Sequence, residues 1–351
     1  MQDPFIYTVE NKRDIDNNIR THLDSASGRK GFTMCTGIRF TDGQGNMYFG
    51  RNLDWSCGYG EHVVITPTGW SPNSPFGAVS EISRPIYGMG IVAENTPLYF
   101  DCANDAGLAV AGLNFPGYAQ YEAVPVQGKT NVCAWEFPLW VVANFQTVDE
   151  VESALANTVI VDRSINDQYP CSLLHWIIGD AKRSIVVEHT AQGMQVFNND
   201  LDVLANQPGF AYHAENVRSY IGCSPEVEGP VSWGAAELSS YGSGSGMRGI
   251  PGDCYSPSRF VRAAYHNAFY PQKGTEAENV SRLFHTLGSV SMVDGASKML
   301  DGAYEITVYT GGLSTRTNTY YYSTYDNPAI RSVALSSYDT SGAELVEVDC
   351  H

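Results

Sequence analysis

The sequence predicts an α+β protein, a four-layer αββα sandwich with two antiparallel sheets between two layers of helices. Three observations predict it. Strand signals and helix pairs alternate along the chain as strands, helix pair, strands, helix pair, strands, an order that two sheets covered by two helix layers satisfies. Aromatic residues make up 12% of the chain and charged residues only 17%, which fits a packed, sheet-rich body and not a disordered one. No internal repeat or linker-like stretch interrupts residues 35–351, so these read as one domain.

The elements follow in order. Thr36–Phe40 and Met47–Asn52 are short alternating runs split by Asp42-Gly43-Gln44-Gly45-Asn46, a hairpin signal. Val63–Thr66 and Ala109–Leu113 are further strands. A helix is predicted over Ala134–Asn144, and another opens at Thr147, which with Glu150 forms a capping box. A meander follows: Leu173–Ile178, Ser184–His189 and Met194–Phe197. Ser256-Pro257 opens a third helix to about Phe269, with proline at its first turn. Thr275 and Glu278 cap a fourth, whose Val280, Leu283, Phe284 and Leu287 fall on one buried face. Tyr304–Tyr309, Asn318–Thr324 and Arg331–Leu335 close the chain as strands. Gly242-Ser243-Gly244-Ser245-Gly246 lacks the lysine of a phosphate loop and reads as a flexible loop.

Composition excludes several classes. A net charge of −17 argues against nucleic acid, where a basic footprint supplies most of the affinity. No apolar run approaches the ~18 residues of a membrane span. The eight cysteines are dispersed with no C-x-x-C pair, and no secretory leader is evident. Free thiols and a cytoplasmic location are therefore expected. No His, Cys and carboxylate cluster has metal-site spacing, so neither metal nor cofactor is expected; His175 reads as a strand histidine.

The chemistry concentrates at one hairpin. Cys35 opens the first strand, and Arg51 and Asp54 lie sixteen and nineteen residues later on the second. Folding the hairpin brings all three together, and a guanidinium beside a thiol favours the thiolate. Met34 precedes Cys35. If cleavage makes Cys35 N-terminal, its own α-amine, with an ordinary pKa of about 8, can serve as the base for its thiol. As long as an amide joins Met34 to Cys35 there is no such base. Residues 1–34 are thus expected to be a removed or non-native extension, either a propeptide or the product of a start assigned too early.

Seven motifs in order carry a resemblance: Met34-Cys35-Thr36-Gly37; Gly50-Arg51-Asn52-Leu53-Asp54; the run from Gly107 to Pro116 with Leu113-Asn114-Phe115; Asn206-Gln207-Pro208; Gly249-Ile250-Pro251-Gly252-Asp253; Ser258-Arg259-Phe260; and Tyr320 to Tyr325. From Cys35 to near the end, the chain resembles the choloylglycine hydrolases, which comprise bile salt hydrolases and penicillin V acylases. These are N-terminal nucleophile hydrolases of αββα fold. The resemblance implies that Cys35 attacks an amide carbonyl, with Arg51 by the thiol and Asp54 by the α-amine. It also implies that Asn206, together with backbone at Asn114, supplies the oxyanion donors, and that Arg259 completes the site.

It further implies a small-molecule amide as substrate, first a glycine- or taurine-conjugated bile acid. Asparagine at 114 favours that reading over penicillin V or N-acyl-homoserine-lactone acylase. A non-catalytic binding protein of the same fold is the alternative from a different class. The steroid needs an apolar wall, and Trp55, Tyr59, Ile91, Val92, Ala93, Leu98 and Tyr99 are expected on loops that form it. Gly244-Ser245-Gly246 matches a loop that tends to read Gly-x-Gly in taurine-preferring members and Ser-Arg-x in glycine-preferring ones. A homo-oligomer, a tetramer by analogy, is implied as well.

Overall fold

The computed structural model describes residues 34–350; the extension read over 1–34 lies outside them apart from Met34. The strands run β1 (Cys35–Thr41), β2 (Met47–Trp55), β3 (His62–Thr66), β4 (Ile86–Ala93), β5 (Thr96–Asn104) and β6 (Ala109–Asn114). They continue with β7 (Thr130–Cys133), β8 (Thr158–Val161), β9 (Leu174–Gly179), β10 (Ser184–Thr190), β11 (Gly193–Asn198) and β12 (Val203–Leu204). The last are β13 (Val231–Trp233), β14 (Ala236–Leu238), β15 (Ile306–Ser314), β16 (Thr319–Thr324), β17 (Arg331–Ala334) and β18 (Val346–Val348). The helices are α1 (Phe137–Asn144), α2 (Val148–Leu155), α3 (Phe210–Asn216), α4 (Ser256–Phe269) and α5 (Glu276–Gly288).

Two antiparallel sheets dominate. One has six strands in the order β12-β1-β2-β15-β16-β17; the other has eight, β11-β10-β9-β6-β5-β4-β3-β18. The inner core fills the space between them and beneath α4 and α5, joining Ile38, Phe49, Ala111 and Ile177 to Phe260, Leu283 and Leu287. The outer core lies between the eight-stranded sheet and α1 and α2, joining Val110, Trp176 and Ile178 to Phe137, Val141 and Val151. On β9, Ile177 therefore points inward while its neighbours Trp176 and Ile178 point outward, the period-two alternation of a strand covered on both faces. This is the predicted αββα sandwich. Both capping boxes form: Thr147 accepts from Glu150 at the start of α2, and Thr275 from Glu278 at the start of α5. Where α5 crosses the six-stranded sheet, Gly312 leaves room for Leu283, since a Cβ there would collide with that side chain.

Several expectations need correction. Ile91, Val92, Ala93, Leu98 and Tyr99, expected on loops, lie in the β4–β5 hairpin, closed by Glu94 and Asn95 at positive φ. Glycines at 88 and 90 and Pro97 masked the strand pattern. A Cβ at Gly88 would overlap Asp101 and Cys102, so glycine there serves close strand approach. The helix over 134–144 begins at Phe137, because Cys133 and Ala134 carry the turn that enters it. The short α3, the parallel β7–β8 pair and the β13–β14 hairpin gave no clear pattern. Gly242–Gly246 is not a free glycine loop. Ser245–Met247 is a 3-10 turn, buried Gly246 donates to Glu226 O and accepts from Ser224 N, and Ser245 Oγ accepts from Glu228 N. Among the described residues, no helix is long and apolar enough to cross a membrane.

Candidate active site

The site grows from the register of β1 and β2. Asp42 ties the hairpin turn, accepting from the backbone N–H groups of Gln44 and Asn46. That register sets Cys35 opposite Leu53 and Gly37 opposite Arg51. On the far side of β2, Arg51 faces Gly311 of β15. With glycine across both ladders, the guanidinium has room to turn along the sheet, and its Nη2 donates to Cys35 Sγ at 2.7 Å. Its Nη1 donates to Gly112 O at 2.7 Å and Phe100 O at 3.2 Å. Phe100 is the extra residue of a bulge between β4 and β5, which frees its carbonyl from the ladder. Burial works against the charge on Arg51, but Cys35, Tyr309, Asp101 and Asp54 together hold its pKa above the ordinary value.

Behind Arg51, both carboxylate oxygens of buried Asp101 are occupied, by the hydroxyls of Tyr309 and Tyr320 at 2.6 Å each. The pair of tyrosines on the six-stranded sheet thus clasps an acid on the eight-stranded one. A Cβ at Gly311 would collide with the Tyr320 hydroxyl.

The backbone of Cys35 is fixed as firmly. Its N–H donates to Asn206 Oδ1. Arg259, in the first turn of α4, donates Nη1 to Cys35 O and to Thr36 Oγ1 at 2.6 Å each, and Nη2 to Asn206 Oδ1 at 2.9 Å. Two donors on Oδ1 settle which way the amide faces. Its Nδ2 donates one hydrogen to Asn114 O at 2.8 Å, leaving the second for another acceptor. Asn206 follows β12, which pairs with β1. His213 of α3 holds it from behind, donating Nε2–H to Asn206 O at 2.8 Å. Burial keeps His213 neutral, with its pKa down to about 4.

Asp54 Oδ1 accepts from the Thr307 hydroxyl at 2.6 Å, while buried Oδ2 has no hydrogen-bond partner and lies 3.9 Å from Arg259 Nη1. A second bulge, in β15 between Thr307 and Tyr309, sets Thr307 opposite Asp54. Burial outweighs Arg259, Thr307 and Arg51 and raises Asp54 to about 6.

Cys35, Arg51, Asp54, Asn206 and Arg259 therefore converge, each at most 2% exposed. Asn114 joins them through its carbonyl, which accepts from Asn206; the contact seen is not that of a backbone donor. Of the expected wall, Trp55 and Tyr59 stack at 6.4 Å and Tyr59 meets Phe100 edge-on at 5.6 Å, beside the inner core. Ile91, Val92, Ala93, Leu98 and Tyr99 sit on β4 and β5, not on loops. Tyr99 is buried in the outer core with its hydroxyl on Thr66, and Val92 packs against the same core. Neither faces the thiol side of the sheet. Gly244–Gly246 is tied by hydrogen bonds to residues 224–228. Sequence reasoning missed Phe100, Asp101, His213, Glu305, Thr307 and Tyr309.

A model of the linear amide C–N hydrolases, choloylglycine hydrolase family, matches residues 35–348. The chain belongs to that family of amide-cleaving enzymes. It is 57% identical over 316 residues to a bile salt hydrolase/transferase of Bifidobacterium longum, covering 90% of this chain and 99% of that protein. It is 41% identical over 314 residues to a conjugated bile acid hydrolase of Lactobacillus acidophilus, covering 89% and 99%. A solved conjugated bile acid hydrolase from Clostridium perfringens superposes with a TM-score of 0.83 at 32% identity over 90% of this chain and 97% of that one. A penicillin V acylase from Agrobacterium tumefaciens shares the fold, with a TM-score of 0.71 at 18% identity, over 90% of this chain and 91% of that one.

Proposed function

We propose that this protein hydrolyses the amide bond of glycine- or taurine-conjugated bile acids, with Cys35 as nucleophile once the segment through Met34 is gone. The observation that carries the reading is the Arg51 guanidinium on Cys35 Sγ, with the Cys35 backbone nitrogen held by Asn206. In the active form that nitrogen is a free amine and takes the thiol proton. Sulfur adds to the amide carbonyl, and the oxyanion takes the remaining Nδ2 hydrogen of Asn206. The α-ammonium then returns the proton to the departing nitrogen. Glycine or taurine leaves, and water, deprotonated by the same amine, opens the thioester to release the bile acid. Asp54 and Arg259 orient the amine and the Cys35 backbone. Trp55, Tyr59 and Phe100 supply apolar surface to the steroid.

A thioester can also be opened by an amine in place of water. The Bifidobacterium relative, whose name includes a transferase activity, supports a second, aminolytic outcome at the same site. One assay tests both: intact mass of the purified protein, then glycocholate, taurocholate and penicillin V turnover, with and without added amino acid. Glycine or taurine release from protein starting at Cys35 is the expected result. Release from protein retaining Met34, or turnover of penicillin V alone, overturns the reading.

The enzyme acts in the cytoplasm, where its thiols stay reduced. It works as a homo-oligomer. Support comes from the β13–β14 hairpin and its flanks, where Ile221, Val231, Trp233 and Tyr241 are more than half exposed, a patch suited to a second copy. Sedimentation of wild type against Trp233→Ser measures it, with a smaller particle expected for the variant.

A further inference from the structure

Glu305 is a buried carboxyl, 1% exposed, that the mechanism above does not use. It immediately precedes β15, and its Oε1 accepts the backbone N–H of Met34 at 2.6 Å. The carbonyl of Met34 is held at the same time by the backbone N–H of Asp54 at 3.0 Å. The residue before the nucleophile is thus gripped at both its polar backbone atoms. Successive backbone nitrogens are at most about 3.6 Å apart, so the Glu305 oxygen lies within about 6 Å of the Cys35 nitrogen.

We infer that Glu305 is a positioning residue for the Cys35 amine. In the uncut chain it holds the preceding residue; once Cys35 is N-terminal, it loses that partner and its carboxyl faces the new amine. The inference rests on Cys35 acting as an N-terminal nucleophile. The charged groups around Glu305 are Asp54 from β2 and Arg259 from α4, with Arg51 beyond Asp54. On its own segment, Lys298 lies over the Tyr304 ring. Burial first, then Asp54, pushes Glu305 up to about 8, against the lowering pull of the Met34 N–H and Arg259.

A carboxyl titrating in the range of an α-amine a few ångströms away couples to it. Ionised Glu305 favours the ammonium and delays the appearance of the free base. Neutral Glu305 does not. The wild-type enzyme should therefore gain activity at a higher pH than an enzyme with no charge at this position.

The test is the pH profile of kcat/KM for taurocholate, whose sulfonate does not titrate in this range. Wild type, Glu305→Gln and Glu305→Ala are compared after intact mass shows that each begins at Cys35. In both variants the midpoint of the rising limb is expected to move to lower pH by about half a unit or more. A merely structural role scales the whole profile without moving the limb, and that result overturns the inference. If Ala lowers activity throughout but shifts the limb as Gln does, charge is still the cause. Wild type that turns over taurocholate with a limb matching both variants removes the role of Glu305 alone. Wild type that turns over no conjugated bile acid removes the hydrolase reading and this inference with it.

Discussion

Around Cys35 a dense set of hydrogen bonds fixes the side chains, and the residues come from β1, β2, the turn after β12, the first turn of α4 and the start of β15. The arm at residues 221–248 is the reverse: Ile221 is 87% exposed, Trp233 75%, and Tyr241 entirely so. The first region is over-determined by two sheets and a helix. The second is a short hairpin whose strands, among the described residues, pair only with each other, and a 3-10 turn tied to residues 224–228. The difference separates two tasks. The register of a ladder is held by every other rung, so chemistry built on it tolerates little change. On the proposed reading the arm serves recognition and assembly, and it can vary without disturbing the nucleophile.

The sharpest way to break this comparison is at the thiol. Cys35→Ser should lower kcat by about three orders of magnitude or more, because a hydroxyl is far less acidic than a thiol. Iodoacetamide should inactivate wild type with one adduct at Cys35 before the other seven cysteines react; digestion and mass spectrometry locate it. Full activity after stoichiometric labelling of Cys35 contradicts the mechanism. Next comes Asn206→Ala, which removes the free Nδ2 hydrogen and also strands Arg259 Nη2 and the Cys35 nitrogen. A loss of about 10² to 10³ in kcat is expected, with a smaller change in KM. His213→Ala acts one step further out, through the Asn206 carbonyl, and should cost about tenfold. Equal losses from both variants would mean that the outer contact is as critical as the donor itself.

How much of this was legible in the sequence follows the same division. Cys35, Arg51 and Asp54 were readable because a hairpin with a strong turn fixes their register locally. Both capping boxes were readable for the same reason. Asn206 and Arg259 were found only through resemblance, since a turn after a two-residue strand and one helical turn carry no periodic signal. Asp101, Tyr309 and Glu305 were not found at all. They reach the site across the gap between sheets or beside a bulge, and neither distance nor bulge is written in a period of two. The β4–β5 hairpin was hidden by glycines that exist for close packing, so Tyr99 was expected on a loop wall although it lies in the outer core.

The buried site also makes a prediction about stability that the arm does not share. His213 has a depressed folded pKa, about 4 against an ordinary 6.5, so its contribution is present above about 6.5 and is lost as pH falls towards 4. Asp54 and Glu305 are raised, to about 6 and about 8. Their contributions are present below about 4, the ordinary carboxylate range, and are lost as pH rises through those values. Urea unfolding of the full chain at pH 4 to 9 should show Glu305→Gln gaining on wild type as pH rises from 5 to 9. His213→Asn should gain as pH falls from 6.5 to 4. Parallel curves for either variant would show that the group titrates alike in the folded and unfolded chain.

The smallest effect is expected at the arm. Gly244 has φ of 90° and is exposed, and Ser245 accepts from the Glu228 backbone. On the proposal that this loop meets the leaving group, a glycine there leaves room for a tetrahedral sulfonate and supplies no guanidinium to pair with a planar carboxylate. Wild type should accordingly process taurocholate with kcat/KM at or above that for glycocholate. Replacing Gly244-Ser245 by Ser-Arg adds a forked cation at the surface, where an ion pair contributes about 0.2–1 kcal/mol. The ratio should then move towards glycocholate by no more than about fivefold. The same swap forces a side chain into a left-handed backbone position and removes the hydroxyl that holds Glu228. Gly244→Ala imposes that strain without the cation, and it should leave the ratio where it was. If Gly244→Ala moves the ratio as far as Ser-Arg does, backbone shape decides the leaving group and the guanidinium does not. If neither moves it, the arm has no part in that choice, and the preference must reside among the buried residues around Cys35.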